Sequence, residues 1–346
     1  MTPEPINLVT HYGAPIAAYL SDETVTEICV NRWDQIFVER RGRLAQVEGT
    51  WRDEENLVSY IKSIAHKLGQ EVNDRNPILD ARLHDGTRIN AVLRPTAVYG
   101  PCLSIRPYPK VQFTLDDLIG FGGLPEISVE IFRHAIDHRL NAVVNGGTGS
   151  GKTTLLRGLC GMIDKDERIV TVEDTAENLV GTDRHVVSFE AAKRDMQGGA
   201  AVTMARLIAN SLRQRPDRIV VGEIREPDAA TAYIDAINTG HAGALTTVHA
   251  NNAREALTRL QILYARAASN ITLDMAEVFI KQNIDLVIFQ TRERDPDGTV
   301  ARRVKEIATV SADGVNYLVK HRHDTGFEHD EQGLADWKRA VEETHH

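Results

Sequence analysis

Gly146-Gly147-Thr148-Gly149-Ser150-Gly151-Lys152-Thr153 carries the reading of this chain. The stretch meets every fixed position of the P-loop template G-x-x-x-x-G-K-[ST]. Before it, Asn141-Ala-Val-Val-Asn145 is short and apolar, as a buried strand is; after it, Thr154-Leu-Leu-Arg-Gly-Leu can open a helix. Strand, glycine-rich turn and helix form the context in which the motif has a mechanism. Glycines let backbone N–H groups close round phosphate oxygens, and the helix start adds the positive end of its dipole. Gly146 to Thr154 are therefore the expected nucleotide-binding residues, with Lys152 reaching β- and γ-phosphates and Thr153 ligating Mg²⁺.

Phosphoryl transfer to water needs a further carboxylate near the metal and the attacking water. The apolar run Arg218-Ile-Val-Val-Gly222-Glu223 ends in one. Glu223 is placed to hold Mg²⁺, through water or directly, or to polarise the nucleophile; a strand-end salt bridge is the alternative. Glu173-Asp174-Thr-Ala-Glu177 follows a second strand pattern, so its carboxylates face the same crevice at the carboxyl edge of the sheet. Beside bound metal, Glu173 or Glu177 can orient or deprotonate water; an acidic, solvated loop is the alternative. His241 and His249, in Thr239-Gly-His-Ala-Gly243 and Thr246-Thr-Val-His-Ala-Asn251, are candidates for sensing a γ-phosphate or for plain structural roles. Arg213 and Arg215, and Arg88 and Arg106 nearer the N-terminus, are of the type that supplies charge to phosphate. Sequence alone does not place them near the nucleotide.

The 346 residues suit about two domains. Hydrophobic residues at 42% and charged residues at 26% describe an ordinary globular chain, and no apolar run approaches a membrane span. No signal-peptide pattern opens the sequence. Three scattered cysteines, Cys29, Cys102 and Cys160, predict reduced thiols in a cytosolic protein. A formal charge of −9 argues against broad binding of nucleic-acid phosphates. Arg40-Arg41-Gly-Arg43 and Arg302-Arg303 are too short to form a nucleic-acid patch and read as solvated surface.

The first part of the chain predicts a small α+β domain over 1–106. Ile16–Leu20 and Glu54–Gln70 read as helices. Val25–Val30, Gln35–Glu39, Ala81–Leu83, Arg88–Leu93 and Leu103–Arg106 read as strands, with a hairpin turn at His84–Thr87. Prolines and glycines mark 107–125 as a hinge. From 126 to 320 helix and strand patterns alternate, which predicts an α/β unit with a largely parallel sheet. Its expected strands are Ala142–Asn145, Arg168–Val172, Arg218–Val221, Leu245–Val248 and Asp285–Gln290, closed by a hairpin over Arg303–Val319. Its expected helices are Thr153–Met162, Thr203–Gln214, Ala229–Asn238 and Ala253–Ala267. The polar, acidic tail 321–346 is expected to be mobile.

Taken together, these residues resemble the secretion ATPase superfamily of type II and type IV secretion systems. Four elements occur in the family's order: the P-loop, an acidic box (Glu173–Glu177), an atypical Walker B ending Gly222-Glu223, and a histidine box (Thr239–Asn251). Leu212–Arg225 and Phe113-Thr-Leu-Asp-Asp-Leu look most like the conjugal-transfer branch of the TrbB type. The short first domain and the lack of a four-cysteine zinc site point the same way. The family often has Arg-Asp after Gly-Glu-Ile; here Glu226 follows Arg225, so no role is carried over for that aspartate.

The resemblance implies a RecA-like P-loop ATPase domain preceded by a small PAS-like α+β domain, with ATP and Mg²⁺ bound where the first domain closes over the second. It implies a homo-hexamer, peripheral to the membrane at the cytoplasmic face of the inner membrane. That ring would drive secretion-channel proteins in type IV secretion or conjugation by ATP hydrolysis and domain motion. It favours Glu177 as the water activator and allows Arg106 or Arg88 to reach the nucleotide. Direct sequence-specific nucleic-acid binding is not expected. The competing readings are a tight-adherence pilus-assembly ATPase, a DNA-translocating motor or helicase, and a non-catalytic nucleotide switch.

Overall fold

The computed structural model describes residues 15–344 except 41, 84–85, 109–112, 178, 182, 193–200, 268–270, 297 and 323. The chain divides into two compact units, Met1–Gln112 and Phe113–His346.

In the first unit, β1 (Val25–Arg32), β2 (Gln35–Arg40), β3 (Arg43–Val47), β4 (Ile78–Arg82), β5 (Arg88–Val92) and β6 (Cys102–Arg106) form an antiparallel sheet. Their order is β3-β2-β1-β6-β5-β4. The short helix α1 (Ala17–Ser21) precedes them, and α2 (Glu54–Lys67) lies between β3 and β4 in sequence. Asp53 caps α2 by accepting from the Asn56 amide at 2.8 Å. The helix buries Leu57, Tyr60, Ile61, Ile64 and Ala65, the i, i+3, i+4 face that makes an amphipathic helix. These join Ile28, Val30, Ile36, Val38, Ile89, Leu103 and Ile105, the inward residues of the alternating strands, in one apolar cluster. The first-unit cysteines, Cys29 and Cys102, are free thiols. Strand β3 was not expected: its residues are almost all exposed, so it lacks the alternation that marks a half-buried strand. Arg40 and Arg43, expected as solvated surface, are paired where β2 meets β3, with Gly42 at φ 76°. Residues 84–85 of the turn expected at His84–Thr87 lie outside the described residues.

In the second unit, the sheet order is β15-β14-β13-β12-β7-β11-β10-β8-β9. Strands β7 (Ala142–Asn145), β8 (Ile169–Glu173), β9 (Val186–Glu190), β10 (Arg218–Val221), β11 (Leu245–Val248) and β12 (Leu286–Arg294) pair in parallel. Strands β13 (Val300–Ser311), β14 (Gly314–Arg322) and β15 (Gly326–His329) extend it antiparallel. β7, β8, β10 and β11 are buried throughout, the pattern of strands covered on both faces.

Alternate residues feed opposite layers. Val144, Val220 and Ile288 join α4 (Ile127–Asp137) and α5 (Lys152–Met162) in one cluster. Val143, Val221 and Val287 join α6 (Met204–Ser211), α7 (Pro227–Asn238), α8 (Ala253–Ala267) and α9 (Leu273–Asn283) in the other. Cys160 is a buried free thiol in the first of these layers. No described helix is long and apolar enough to cross a membrane.

Two segments differ from expectation. The hinge expected over 107–125 contains α3 (Leu115–Gly120), started by a capping box between Thr114 and Asp117. Leu115 packs so closely on Gly158 that an added Cβ there would sit 2.6 Å from it. Gly123 accepts from the Val304 amide at 2.8 Å, tying this segment to β13. The tail from 321, expected to be mobile, ends β14, adds β15 and forms α10 (Glu331–Thr344). Leu334 and Val341 of α10 are buried and Trp337 packs beside them. Their spacing of three and four residues is a helical apolar stripe that the acidic composition masked.

Candidate functional site

Because β7, β11, β10 and β8 are parallel neighbours, their carboxyl ends open on one edge of the sheet. The P-loop leaves β7, His249 follows β11, Glu223 follows β10 and the acidic box follows β8. Four separate stretches of sequence thus converge through strand pairing, at the edge where open α/β sheets bind ligands.

The loop is built for close approach. Gly149 and Gly151 have φ of 70° and 98°, values that glycine adopts without strain. A Cβ on Gly146 would lie 2.0 Å from the Gln290 carbonyl of β12. Lys152, 8% exposed, donates from Nζ to the Gly146 and Gly147 carbonyls at 2.9 and 3.1 Å. Burial pushes the Lys152 ammonium below its ordinary pKa, opposed by the Glu223 and Glu177 charges. A phosphate oxygen can replace those carbonyls, and its negative charge favours the ammonium form. Among the described residues, Ser150 Oγ is buried without a hydrogen-bond partner, as are Asn145 Oδ1 at the end of β7 and Gln290 Oε1 in the middle of β12. A glycine cradle, a buried ammonium and unsatisfied polar atoms fit a polyphosphate. The Thr153 hydroxyl and the Glu223 carboxylate are oxygen donors of the kind Mg²⁺ takes.

Glu223 is held between a guanidinium and an imidazole. Arg225 Nη2 donates to its Oε2 at 2.8 Å, and His249 Nε2 lies 3.4 Å from its Oε1, within ionic reach. Among the described residues, Oε1 finds no hydrogen-bond partner. Burial pushes the Glu223 carboxyl up, but the Arg225 hydrogen bond and the Arg225, Lys152 and His249 charges outweigh it and leave it lowered. Burial and Lys152 lower the His249 imidazole against the pull of Glu223, which favours a neutral ring.

Arg225 also reaches the acidic box, with Nη1 3.7 Å from Asp174 Oδ2. Sequence reasoning treated Arg225 only as a family landmark; its place two residues after Glu223 was the available signal. Gly222 lets the acidic strand ends approach: its amide donates to the Val172 carbonyl at 2.9 Å, and an added Cβ would meet Glu173 Cγ at 3.2 Å. Glu173 is 2% exposed and its Oε1 accepts from the Glu177 amide at 2.8 Å. Arg157 of α5 donates to the Glu177 carbonyl at 2.8 Å.

His241 is not brought to this edge. It precedes β11 whereas His249 follows it. At about 3.3 Å per residue the strand's length lies between them, so within one chain the two histidines do not act on one phosphate. Arg213 folds back toward the Ala209 carbonyl of its own helix at 3.4 Å. Arg215 takes the left-handed turn at φ 52° that ends the segment. In the first unit, Arg88 and Arg106 are direct cross-strand partners, and Arg106 Nη2 lies 3.5 Å from Glu27 Oε2. Arg302, expected as solvated surface, is exposed, Arg303 is half-buried, and both are engaged. Arg302 Nε donates to the Gly149 carbonyl at 2.9 Å, and Arg303 is bound by Asp295 and Glu293.

This fold and this site define a P-loop nucleotide hydrolase. More narrowly, the chain belongs to the family described as "Type II/IV secretion system protein", which matches residues 10–332. It is 37% identical over 298 residues to conjugal transfer protein TrbB of Rhizobium radiobacter, covering 85% of this chain and 86% of that one. It is 30% identical over 322 residues to type IV secretion system protein VirB11 of Bartonella quintana, covering 82% and 89%. Its fold matches the ATPase DotB of Legionella pneumophila with a TM-score of 0.61 at 21% identity, over 90% of this chain and 84% of that one. The protein is a secretion ATPase.

Proposed function

We propose that this ATPase drives conjugal transfer through a type IV secretion machine by Mg²⁺-dependent ATP hydrolysis. The observation that carries the chemistry is the alignment of P-loop, Glu223 and acidic box along one sheet edge. The similarity to TrbB and VirB11 proteins supports the secretion role, and favours conjugation over pilus assembly. The net charge of −9 disfavours a motor that tracks nucleic acid.

On ATP binding, Lys152 exchanges its two loop carbonyls for β- and γ-phosphate oxygens. Thr153 and Glu223 are the residues that would hold Mg²⁺, Glu223 through water or directly, and the bound metal would supply charge neutralisation at the phosphates. Arg225 keeps Glu223 anionic and ready for the metal. Glu173 uses one oxygen to fix the Glu177 backbone, which supports Glu177 as the carboxylate presented to water. A homo-hexamer peripheral to the inner membrane, working on secretion-channel proteins, is the assembly this reading calls for. Lys152→Ala tests the reading: we expect ATP turnover to fall at least ~100-fold with the far-ultraviolet spectrum unchanged. Wild-type turnover in that variant would refute the assignment.

A further inference from the structure

Asn145 ends β7 and immediately precedes the phosphate loop. It is fully buried, and it joins β7 to the turn that carries His249. Before His249, the Asn145 backbone is in register with Val248, the last residue of β11. After His249, Asn145 Nδ2 donates to the Asn252 carbonyl at 3.0 Å and, more weakly, to the Ala250 carbonyl at 3.5 Å. One residue thus holds the chain on both sides of the histidine.

The two carbonyls decide which end of the amide faces the turn, since only its NH₂ group donates. The rest of the turn is secured elsewhere. Asn252 Oδ1 accepts from the Glu255 amide at 2.8 Å, and Asn251 Nδ2 donates to Glu255 Oε2 at 2.8 Å. The Ala253 amide donates to Glu306 Oε2 at 2.7 Å. These bonds tie the turn to α8 and β13, and none of them reaches β7.

Two contacts of the hydrolysis site border on this junction. On one side Gly146, the next residue, gives its carbonyl to Lys152 Nζ at 2.9 Å. On the other, His249 Nε2 lies 3.4 Å from Glu223 Oε1. Asn145 therefore stands between the lysine that meets phosphate and the histidine that meets the strand-end carboxylate.

We propose that Asn145 is a positioning residue for ATP hydrolysis. It holds the His249 ring at the Glu223 carboxylate and keeps both in register with the phosphate loop. This rests on the nucleotide reading above. His249 and Glu223 follow different strands, and an error of about 1 Å between reacting groups costs up to about a hundredfold in rate. Asn145 spends its donor on the turn, so its effect falls on turnover and not on nucleotide affinity.

The test combines steady-state turnover with equilibrium binding of a fluorescent ADP. It is run on wild type, Asn145→Leu, Asn145→Ser, His249→Ala and each Asn145 variant combined with His249→Ala. Leucine keeps the shape and removes the donor. Serine keeps a donor on a shorter arm and carries the test if the leucine variant fails to fold. Asn145→Leu is expected to lower kcat about tenfold, the loss of one buried hydrogen bond, with ADP affinity within about threefold of wild type. Asn145→Ser should lose less. The double variants should turn over no more slowly than His249→Ala alone, because a residue that acts through another adds nothing once the other is gone. An asparagine with a merely structural role would multiply the two losses, and that result would overturn the proposal. So would wild-type kcat in the Asn145 variants. ADP affinity falling as far as kcat would also overturn it, by placing Asn145 in phosphate binding. Failure of wild type to bind ADP at all would instead remove the nucleotide reading itself.

Discussion

Glu223 illustrates how one carboxylate is kept charged while more than four-fifths of its side chain is covered. Burial alone would raise its pKa; Arg225 at 2.8 Å, with Lys152 and His249 nearby, reverses the direction. A group held anionic before the metal arrives need not lose a proton to bind it. Glu223→Gln keeps the shape and removes the charge. We expect it to bind ATP near wild-type affinity and to turn it over about 100-fold more slowly, read by equilibrium binding beside a steady-state phosphate-release assay. Unchanged turnover would make Glu223 structural and leave the acidic box as the water activator. The P-loop residues and Glu223 were legible because their chemistry is local: a motif needs its own glycines, lysine and threonine, and a strand end needs only its strand. The Arg302–Gly149 contact was not, because a separation of 153 residues is closed only by the sheet.

At the scale of elements, α10 shows how composition can hide structure. It docks on α4 through the Trp337 ring, 5.0 Å from the His134 ring, and through a Lys338–Glu130 ion pair. His134 also stacks on His138 at 4.2 Å. Burial lowers the His134 pKa, and the His138 and Lys338 charges add to that against Glu342 and Asp137. The folded protein therefore prefers the neutral ring, while the unfolded chain protonates near pH ~6.5. The stability this contributes is present above that pH and is lost as pH falls toward the lowered folded value. Thermal midpoints should thus drop more between pH 7 and 5.5 for wild type than for His134→Gln, and parallel curves would count against the docking role. Trp337→Ala should lower stability by about 1–3 kcal/mol through lost packing, measured by urea unfolding. Strands β7, β10 and β11 and helix α8 fall at the bounds their sequence predicts, since apolar runs and periodic faces are set by local burial. Strand β9 and helix α9 were missed: one pairs only on one side, and the other buries only Ala276 and Ile280 fully.

For the whole molecule, the first unit supplies an arginine row. Arg82 pairs with Arg88, and Arg88 with Arg106, across adjacent strands. We propose Arg106, with Arg88, as the first-unit arginines that supply charge to a nucleotide. In a ring that charge can serve the same chain or its neighbour. Mixing inactive Arg106→Ala with inactive Lys152→Ala separates the cases: recovered turnover means action across subunits, and none is compatible with action within one chain. Full activity of Arg106→Ala alone would end the idea for this residue. A six-membered ring is expected by light scattering with an ATP analogue and Mg²⁺ at micromolar protein, and a monomer mass there would contradict it.

By itself the sequence determined the kind of chemistry: a glycine cradle with its lysine, carboxylates after apolar strands, and an α+β unit ahead of an α/β one. These follow from short-range rules, in which backbone freedom, alternation and helical spacing act over a few residues. Only the tertiary structure decided which of those residues meet. Parallel pairing set Glu223, His249 and the acidic box beside the P-loop, and the same strand direction carried His241 to the far end of β11. The hairpin brought Arg302 to the phosphate loop, and α4 gave the acidic tail an apolar surface to fold on. Contacts across a hundred or more residues depend on strand order and on which face a side chain takes, and no local pattern encodes either.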